Sequence, residues 1–189
     1  MPSLVGSEMC IRDRGNPYAY VIPPQQDAFA RARMIERLLM GGVQVDIALE
    51  KFEADGRAFP KGSYVIYMAQ PYRPYAKDIL ERQHYPEIRL TPEAPPLRPY
   101  DATAWTMPLK MDLECYEIPN PFEVATAKCE RAEYPQTIIN YTSGRFLVMQ
   151  RNTISSYIFL SRALKNRLTV YTNPESITVE ASTLPPGSI

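Results

Sequence analysis

The chain has a single histidine, His84, in 189 residues. That scarcity excludes most hydrolytic devices. A catalytic zinc usually takes three protein ligands and keeps one position for water. "HYPE", His84 to Glu87, spells the HxxE of a zinc carboxypeptidase's first two ligands. The third ligand would have to be another histidine, and Pro86 between the pair would break a helix. "ERQH", Glu81 to His84, is a lone Glu-x-x-His pair, and one such pair is no metal site. Nucleophilic catalysis by serine or cysteine needs an imidazole beside the nucleophile. Only His84 could serve, and neither Cys115 nor Cys129 lies on a visible strand-to-helix elbow. His84 is therefore expected to be a surface or hydrogen-bonded loop histidine. GxSxG, P-loop and GxGxxG motifs are all missing.

Other shortages narrow the possibilities further. Three cysteines form no CxxC pair and no disulfide framework. Cys115 and Cys129 could pair in an oxidising compartment, but spacing does not decide it. Buried thiols are the expected state. Lysine plus arginine and aspartate plus glutamate number 21 each, so no charge excess calls for nucleic acid or an anionic membrane as partner. Apolar runs fall well short of the ~20 residues that span a bilayer. Gly41-Gly42 follows a helix instead of preceding one, so it cannot cradle a phosphate at a helix start.

What the chain has in excess is proline, 19 residues, about twice the usual ~5% share. Many lie between Pro71 and Pro135, so that region is expected to be loop-rich or extended. The hydrophobic fraction of 45% and charged fraction of 22% are ordinary for a globular protein.

Local patterns predict alternating strands and helices. "YAYVI" (18–22) reads as a strand. Asp27 caps a helix running to about Met40, with Ala28, Ala32, Ile35 and Leu39 at helical spacing. Gly41-Gly42 ends it. "VQVDI" (43–47) alternates as a half-buried strand does. "KFEADGRAF" (51–59) predicts a hairpin turning at Asp55-Gly56. "SYVIYM" (63–68) is nearly all apolar, which suggests a strand covered on both faces in a parallel sheet. Pro71 and Pro74 suit the first turn of a helix, and Lys77 and Glu81 make an i, i+4 pair. From Thr91 to about Gly144 the text is proline-rich and irregular, with Trp105 expected to anchor it. A second unit follows: strand 145–149, helix from about Thr153 to Lys165, Asn166 as C-cap, strand 168–171 and a second hairpin.

One offset relates the two units. Tyr20–Tyr64 laid over Arg145–Ile189 aligns Val21 and Ile22 with Phe146 and Leu147, Asp27 with Asn152 (both good N-caps), and Met34 and Ile35 with Phe159 and Leu160. It also aligns "FPKGSY" with "LPPGSI". An internal duplication is expected, with the second copy cut short at the opening of its last strand.

The fold class is thus α/β: two related strand-helix-strand-hairpin units joined by a Pro-rich irregular segment, the second truncated. The expected boundaries are 15–90, 91–144 and 145–189. Residues 1–14, "MPSLVGSEMCIRDR", resemble a translated sequencing-adapter stretch and are expected to be a non-native, disordered tail.

Isolated polar features carry modest expectations. The carboxylate pairs Glu50/Glu53 and Asp112/Glu114 are expected to be solvated. Arg73, beside Tyr72 and Tyr75, forms a cation–aromatic cluster best read as helix packing with a snorkelling guanidinium. No catalytic, cofactor-binding or metal-binding residue is assigned.

"NPYAYVIPPQQ" (16–26), "GGVQVDIALEKFEADGRAFPKGSYVIYMAQPYRPYAKDILERQHYP" (41–86) and "PYDATAWTMPLKM" (99–111) together resemble a known region. It is the part downstream of the catalytic domain in large bacterial zinc carboxypeptidases, of the carboxypeptidase A-like metallopeptidase family. The second unit falls where these proteins carry a region similar to class I glutamine amidotransferases. The resemblance implies a secreted or periplasmic parent with a zinc peptidase domain upstream. Zinc and the catalytic residues would belong to that domain. This chain would be an inactive accessory region whose partner is the peptidase domain. The alternative is a small-molecule or peptide-binding α/β module related to amidotransferase-like domains, with its crevice at the strand ends.

Overall fold

The computed structural model describes residues 16–25, 27–82, 87–97, 106–135, 148–179 and 182–189. His84, Trp105, Phe146 and Leu147 lie outside them. Helices and antiparallel sheets are mixed, as an α/β reading of the sequence allows. The chain divides into two compact units. One takes the described residues of 1–24 and 34–132, the other those of 25–33 and 133–189.

The first unit is built on a five-stranded sheet. Its strands are β1 (Ala19–Ile22), β2 (Asp46–Ala48) and β5 (Tyr64–Tyr67), then β6 (Tyr116–Ile118) and β7 (Thr126–Lys128). Their order is β6-β1-β5-β2-β7. Every pairing is antiparallel, with Ala19 opposite Tyr67 and Ile118, and Asp46 opposite Val65 and Lys128. The parallel sheet expected from the apolar run at 63–68 is therefore corrected. All of β1, and β5 from Tyr64 to Ile66, are buried. An apolar run signals burial on both faces, but it carries no information about strand direction.

Two aromatic-rich pieces cover one face of this sheet. β3 (Phe52–Ala54) and β4 (Arg57–Phe59) form a hairpin. Its turn residues Asp55 and Gly56 have φ of 51° and 69°, the left-handed pair that suits a type I′ turn. Phe52 and Phe59 pack into a cluster with Ala19, Val21, Val65 and Ile118, and Tyr18, Tyr67, Tyr116 and Phe122 close around it. Phe52 stacks on Phe59 and on Phe122 at 5.2 Å in both cases. Side chains alternate along a strand, so Tyr20, Ile22 and Ile66 point to the opposite face, where all three are also buried.

The Pro-rich stretch from 91 to 144, expected to be irregular, supplies both outer strands, β6 and β7, and a short helix α3 (Met107–Lys110). An outer strand pairs on one side only, so three residues between prolines suffice. The strand expected at 43–47 is displaced to 46–48. Val43 is held instead at the helix end, its N–H donating to Leu38 O. Gln44 is clamped by the buried Gln70 side chain. Gln70 Oε1 accepts from Gln44 N at 2.7 Å, and its Nε2 donates to Gln44 O at 3.1 Å.

Helix α1 (Ala28–Met40) forms as predicted, but of the expected face only Ala32 and Ile35 are buried; Ala28 and Leu39 are half-buried, and Ala30, Met34 and Leu38 complete the buried side. Gly41 and Gly42 then serve a purpose besides ending it. A Cβ on Gly41 would lie 2.1 Å from a Tyr75 ring carbon, and one on Gly42 would lie 2.8 Å from the Tyr72 ring. Gly42 also takes φ of 80°. The rings of helix α2 (Arg73–Leu80) and its preceding turn thus rest directly on glycine backbone. Lys77 and Glu81 pair at 3.5 Å on its surface.

The second unit holds helix α4 (Ile154–Lys165) and a hairpin of β8 (Ile177–Val179) and β9 (Ser182–Leu184). Thr153, not Asn152, is its N-cap, with Oγ1 accepting from Ser156 N at 3.2 Å. Asn152 instead donates to Gln150. Asp27 takes a double role. Its Oδ1 accepts from Ala30 N at 2.9 Å and its Oδ2 from Ile154 N at 2.7 Å, so one carboxylate serves the first turns of two helices. Segment 168–171 is not a strand. Its composition favours one, but a strand exists only where a neighbour completes the ladder.

Candidate functional site

Most residues singled out in the sequence are engaged structurally. The Arg73 guanidinium donates to the carbonyls of Met68 (3.3 Å) and Asn16 (3.1 Å), tying α2 to the start of the sheet. A cation–aromatic contact also forms in the first unit: Arg57 lies 4.9 Å from the Tyr116 ring centre. Glu50 and Glu53 are exposed, as are Asp112 and Glu114. Glu114 accepts from the Tyr116 hydroxyl at 2.9 Å. That bond, followed by partial burial and the Glu114 charge, raises the Tyr116 pKa, with Arg57 opposing.

Cys115 and Cys129 remain thiols. They flank β6 and β7, the two opposite edges of the sheet, four strand spacings or about 19 Å apart. No disulfide reaches that far. Cys129 Sγ donates to Arg131 O. Part of Cys115 reaches solvent, but burial of its thiol, aided by Glu117, pushes its pKa up to about 12. A thiol held neutral in this way is a poor nucleophile at physiological pH.

Tyr20 is the buried polar group of the sheet. It is 1% exposed, and its hydroxyl has no hydrogen-bond partner among the described residues. Burial raises its pKa far above the usual tyrosine range. The charges of Glu117, Cys115 and Glu81 add to the effect, and Arg73 opposes it. An orphan hydroxyl beside an inert thiol offers no base and no activated nucleophile. Among the described residues, no three of histidine, cysteine, aspartate and glutamate gather into a group that could hold a metal ion.

A concave feature among the described residues lies in the second unit. A half-open cavity of about 690 Å³ runs along helix α4. Phe159, Leu160, Ala163, Val170, Ile177 and Ile189 contribute apolar walls. Thr169, Tyr171, Thr172, Asn173 and Ser188 put polar groups on it, Ile189 brings the chain's terminal carboxylate, and among the described residues no charged side chain lines it. Met149 and Ile189 exchange backbone hydrogen bonds at one end, and Asn173 N donates to Ser188 O. Asn173 Nδ2 donates to the carbonyls of Glu175 and Pro185, while its Oδ1 is buried without a partner among the described residues. The volume suits a small ligand, but the lining lacks converging polar or charged groups. Periodicity had placed Phe159 and Leu160 on a helix face. It could not show that this face borders open space.

Comparison with known proteins adds no relative: the chain matches no family model, no curated protein and no solved structure.

Proposed function

We propose that this chain is a non-catalytic accessory region of a zinc metallocarboxypeptidase-like protein. In this reading an upstream peptidase domain binds the zinc and removes C-terminal residues from peptides, and the parent is secreted or periplasmic. The long segments 16–26, 41–86 and 99–111 support the family. The apolar cavity of the second unit carries the role. Leu168 and Tyr171, which help line it, are 59% and 71% exposed. An apolar surface of this kind is disfavoured in water and marks a place for a neighbour. The duplication belongs to the same proposal: Asp27 and Thr153 each cap a helix, one residue out of step with the offset that aligns the rest.

The alternative, a small-molecule or peptide-binding module, draws on the same cavity. The mainly apolar lining favours the first reading, because a ligand site needs several converging polar groups to fix orientation. The reading frame upstream of Gly15 in the parent DNA is the test. It should encode an HxxE followed by a distant second histidine. A frame without them overturns the family. Zinc-dependent cleavage of peptides by the 189-residue chain itself would overturn the accessory role.

A further inference from the structure

We infer that Asp55-Gly56 is a site of spontaneous backbone modification, where the folded hairpin itself closes a succinimide ring that opens to isoaspartate. The reaction needs no enzyme and no cofactor. Gly56 N attacks Asp55 Cγ. The new N–Cγ bond forms, and the hydroxyl of the protonated carboxyl leaves with the amide proton as water. A second water then adds at the Asp55 backbone carbonyl carbon and breaks its bond to Gly56 N. That leaves a free α-carboxylate, with the chain now running through Cγ. Net composition is unchanged.

The sequence holds one Asp-Gly pair and no Asn-Gly, and glycine leaves its own nitrogen unshielded by a side chain. Asp55 and Gly56 are both exposed. A Cβ on Gly56 would meet nothing within 4 Å. Among the described residues Gly56 N donates to no carbonyl, and Asp55 has no side-chain partner. The backbone is what makes the folded state competent. Ring closure needs Gly56 N eclipsed with Asp55 Cβ, which in an L residue is a ψ near −120°. The first central residue of a type II′ turn has that ψ together with a φ of about 60°. Asp55 already has a φ of 51° in its type I′ turn. Flipping the one peptide plane between the two residues turns I′ into II′. It carries Gly56 from a φ of 69° to about −80°, a change glycine makes without steric cost. Both turns suit a two-residue hairpin loop, so Ala54 can stay opposite Arg57 throughout.

Asp112 supplies the contrast within the same unit. It too is exposed, with a φ of 53°. The next nitrogen, however, belongs to Leu113, which is buried and donates to Pro108 O at 2.9 Å. Its peptide plane cannot flip without breaking that bond. Isoaspartate at position 55 would add a backbone carbon to a two-residue loop, which then fits neither turn. The damage falls on the Phe52–Phe59 pair that closes one face of the sheet.

The test ages the full chain in neutral buffer, folded and in urea, and follows tryptic peptides by mass spectrometry with electron-based fragmentation. Cleavage after Lys51 and Arg57 isolates residues 52–57, and cleavage after Lys110 and Lys128 isolates 111–128. Peptide 52–57 should gain a form lighter by one water, then isoaspartate, at least tenfold faster than 111–128. Its rate in the folded chain should lie within tenfold of the rate in urea. Asp55→Asn should reach the same isoaspartate by loss of ammonia, and Asp55→Glu, whose ring would be one atom larger, should not. Hydrogen exchange in β3 and β4 should quicken in step with the isoaspartate formed. Equal rates at Asp55 and Asp112, a folded rate more than tenfold below that in urea, or unchanged exchange in the modified chain would overturn the inference. None of these three readouts depends on a variant that must fold.

Discussion

In the first unit strand β1 has β5 on one side and β6 on the other, and no residue in it is exposed. In the second unit a segment of equal β character, Leu168–Thr172, has no strand paired to it among the described residues and is mostly exposed. The two stretches differ little in side-chain type. They differ in what each one has for a neighbour. A strand is stabilised by the ladder on either side and by the layers that close over its faces. Where those are present, sequence propensity becomes structure. Without them, the same propensity does not by itself make a strand.

The strongest way to sharpen this contrast is to remove a side chain from each unit. Ile66→Ala, in the wholly buried centre of the first sheet, should cost ~2–5 kcal/mol in urea unfolding. Phe159→Ala, in a cavity wall and 37% exposed, should change stability by no more than ~0.5 kcal/mol. Equal losses would mean that the second unit is packed as tightly as the first.

Alkali should single out the first unit next. Cys115 and Tyr20 are neutral when buried, with folded pKa values raised above their unfolded ones. A raised pKa contributes stability in full below the unfolded value, and that stability is lost as pH rises toward the folded value. The first unit should therefore lose thermal stability from about pH 9 toward pH 12. Cys115→Ser should flatten the early part of that fall. A melting temperature constant from pH 8 to 11 would contradict burial of both groups.

Gly41→Ala asks how rigidly the first unit is packed at its surface. A Cβ there collides with Tyr75 and should cost ~1–3 kcal/mol. Because the loss comes from one contact, adding Tyr75→Ala should recover much of it in a double-mutant cycle. Purely additive effects would show that the ring moves aside freely.

A smaller loss than that at Ile66 is expected in the second unit. Asp27→Ala removes the acceptor for both Ala30 N and Ile154 N and should cost ~1–2 kcal/mol. Amide exchange in the first turn of α4 should quicken along with that of α1. If only α1 responds, the carboxylate does not serve both helices.

Much of this molecule was legible locally. Asp27 and the spacing of Ala32 and Ile35 mark α1, because helix periodicity and capping are set by residues within a few positions of one another. Asp55-Gly56 names its turn, since few residue pairs accept two left-handed conformations in succession. The candidate site was far less legible. Nothing near Phe159 or Leu160 in the chain says that the space beside them is open, because the walls come from stretches as distant as Val148 and Ile189.

What the sequence determined by itself was therefore the local vocabulary: which stretches bury, where a helix begins, where a chain turns, and that one histidine cannot furnish a three-ligand centre built on its own imidazoles. The tertiary structure alone decided which strands became neighbours. It set them antiparallel, drew β6 and β7 out of a proline-rich stretch, held Cys115 and Cys129 at opposite edges, and among the described residues gave 168–172 no strand to pair with. The physical reason is one of range. Backbone dihedrals and capping bonds are satisfied within a few residues, whereas a sheet's hydrogen bonds and a cavity's walls join residues that only the folded chain brings together.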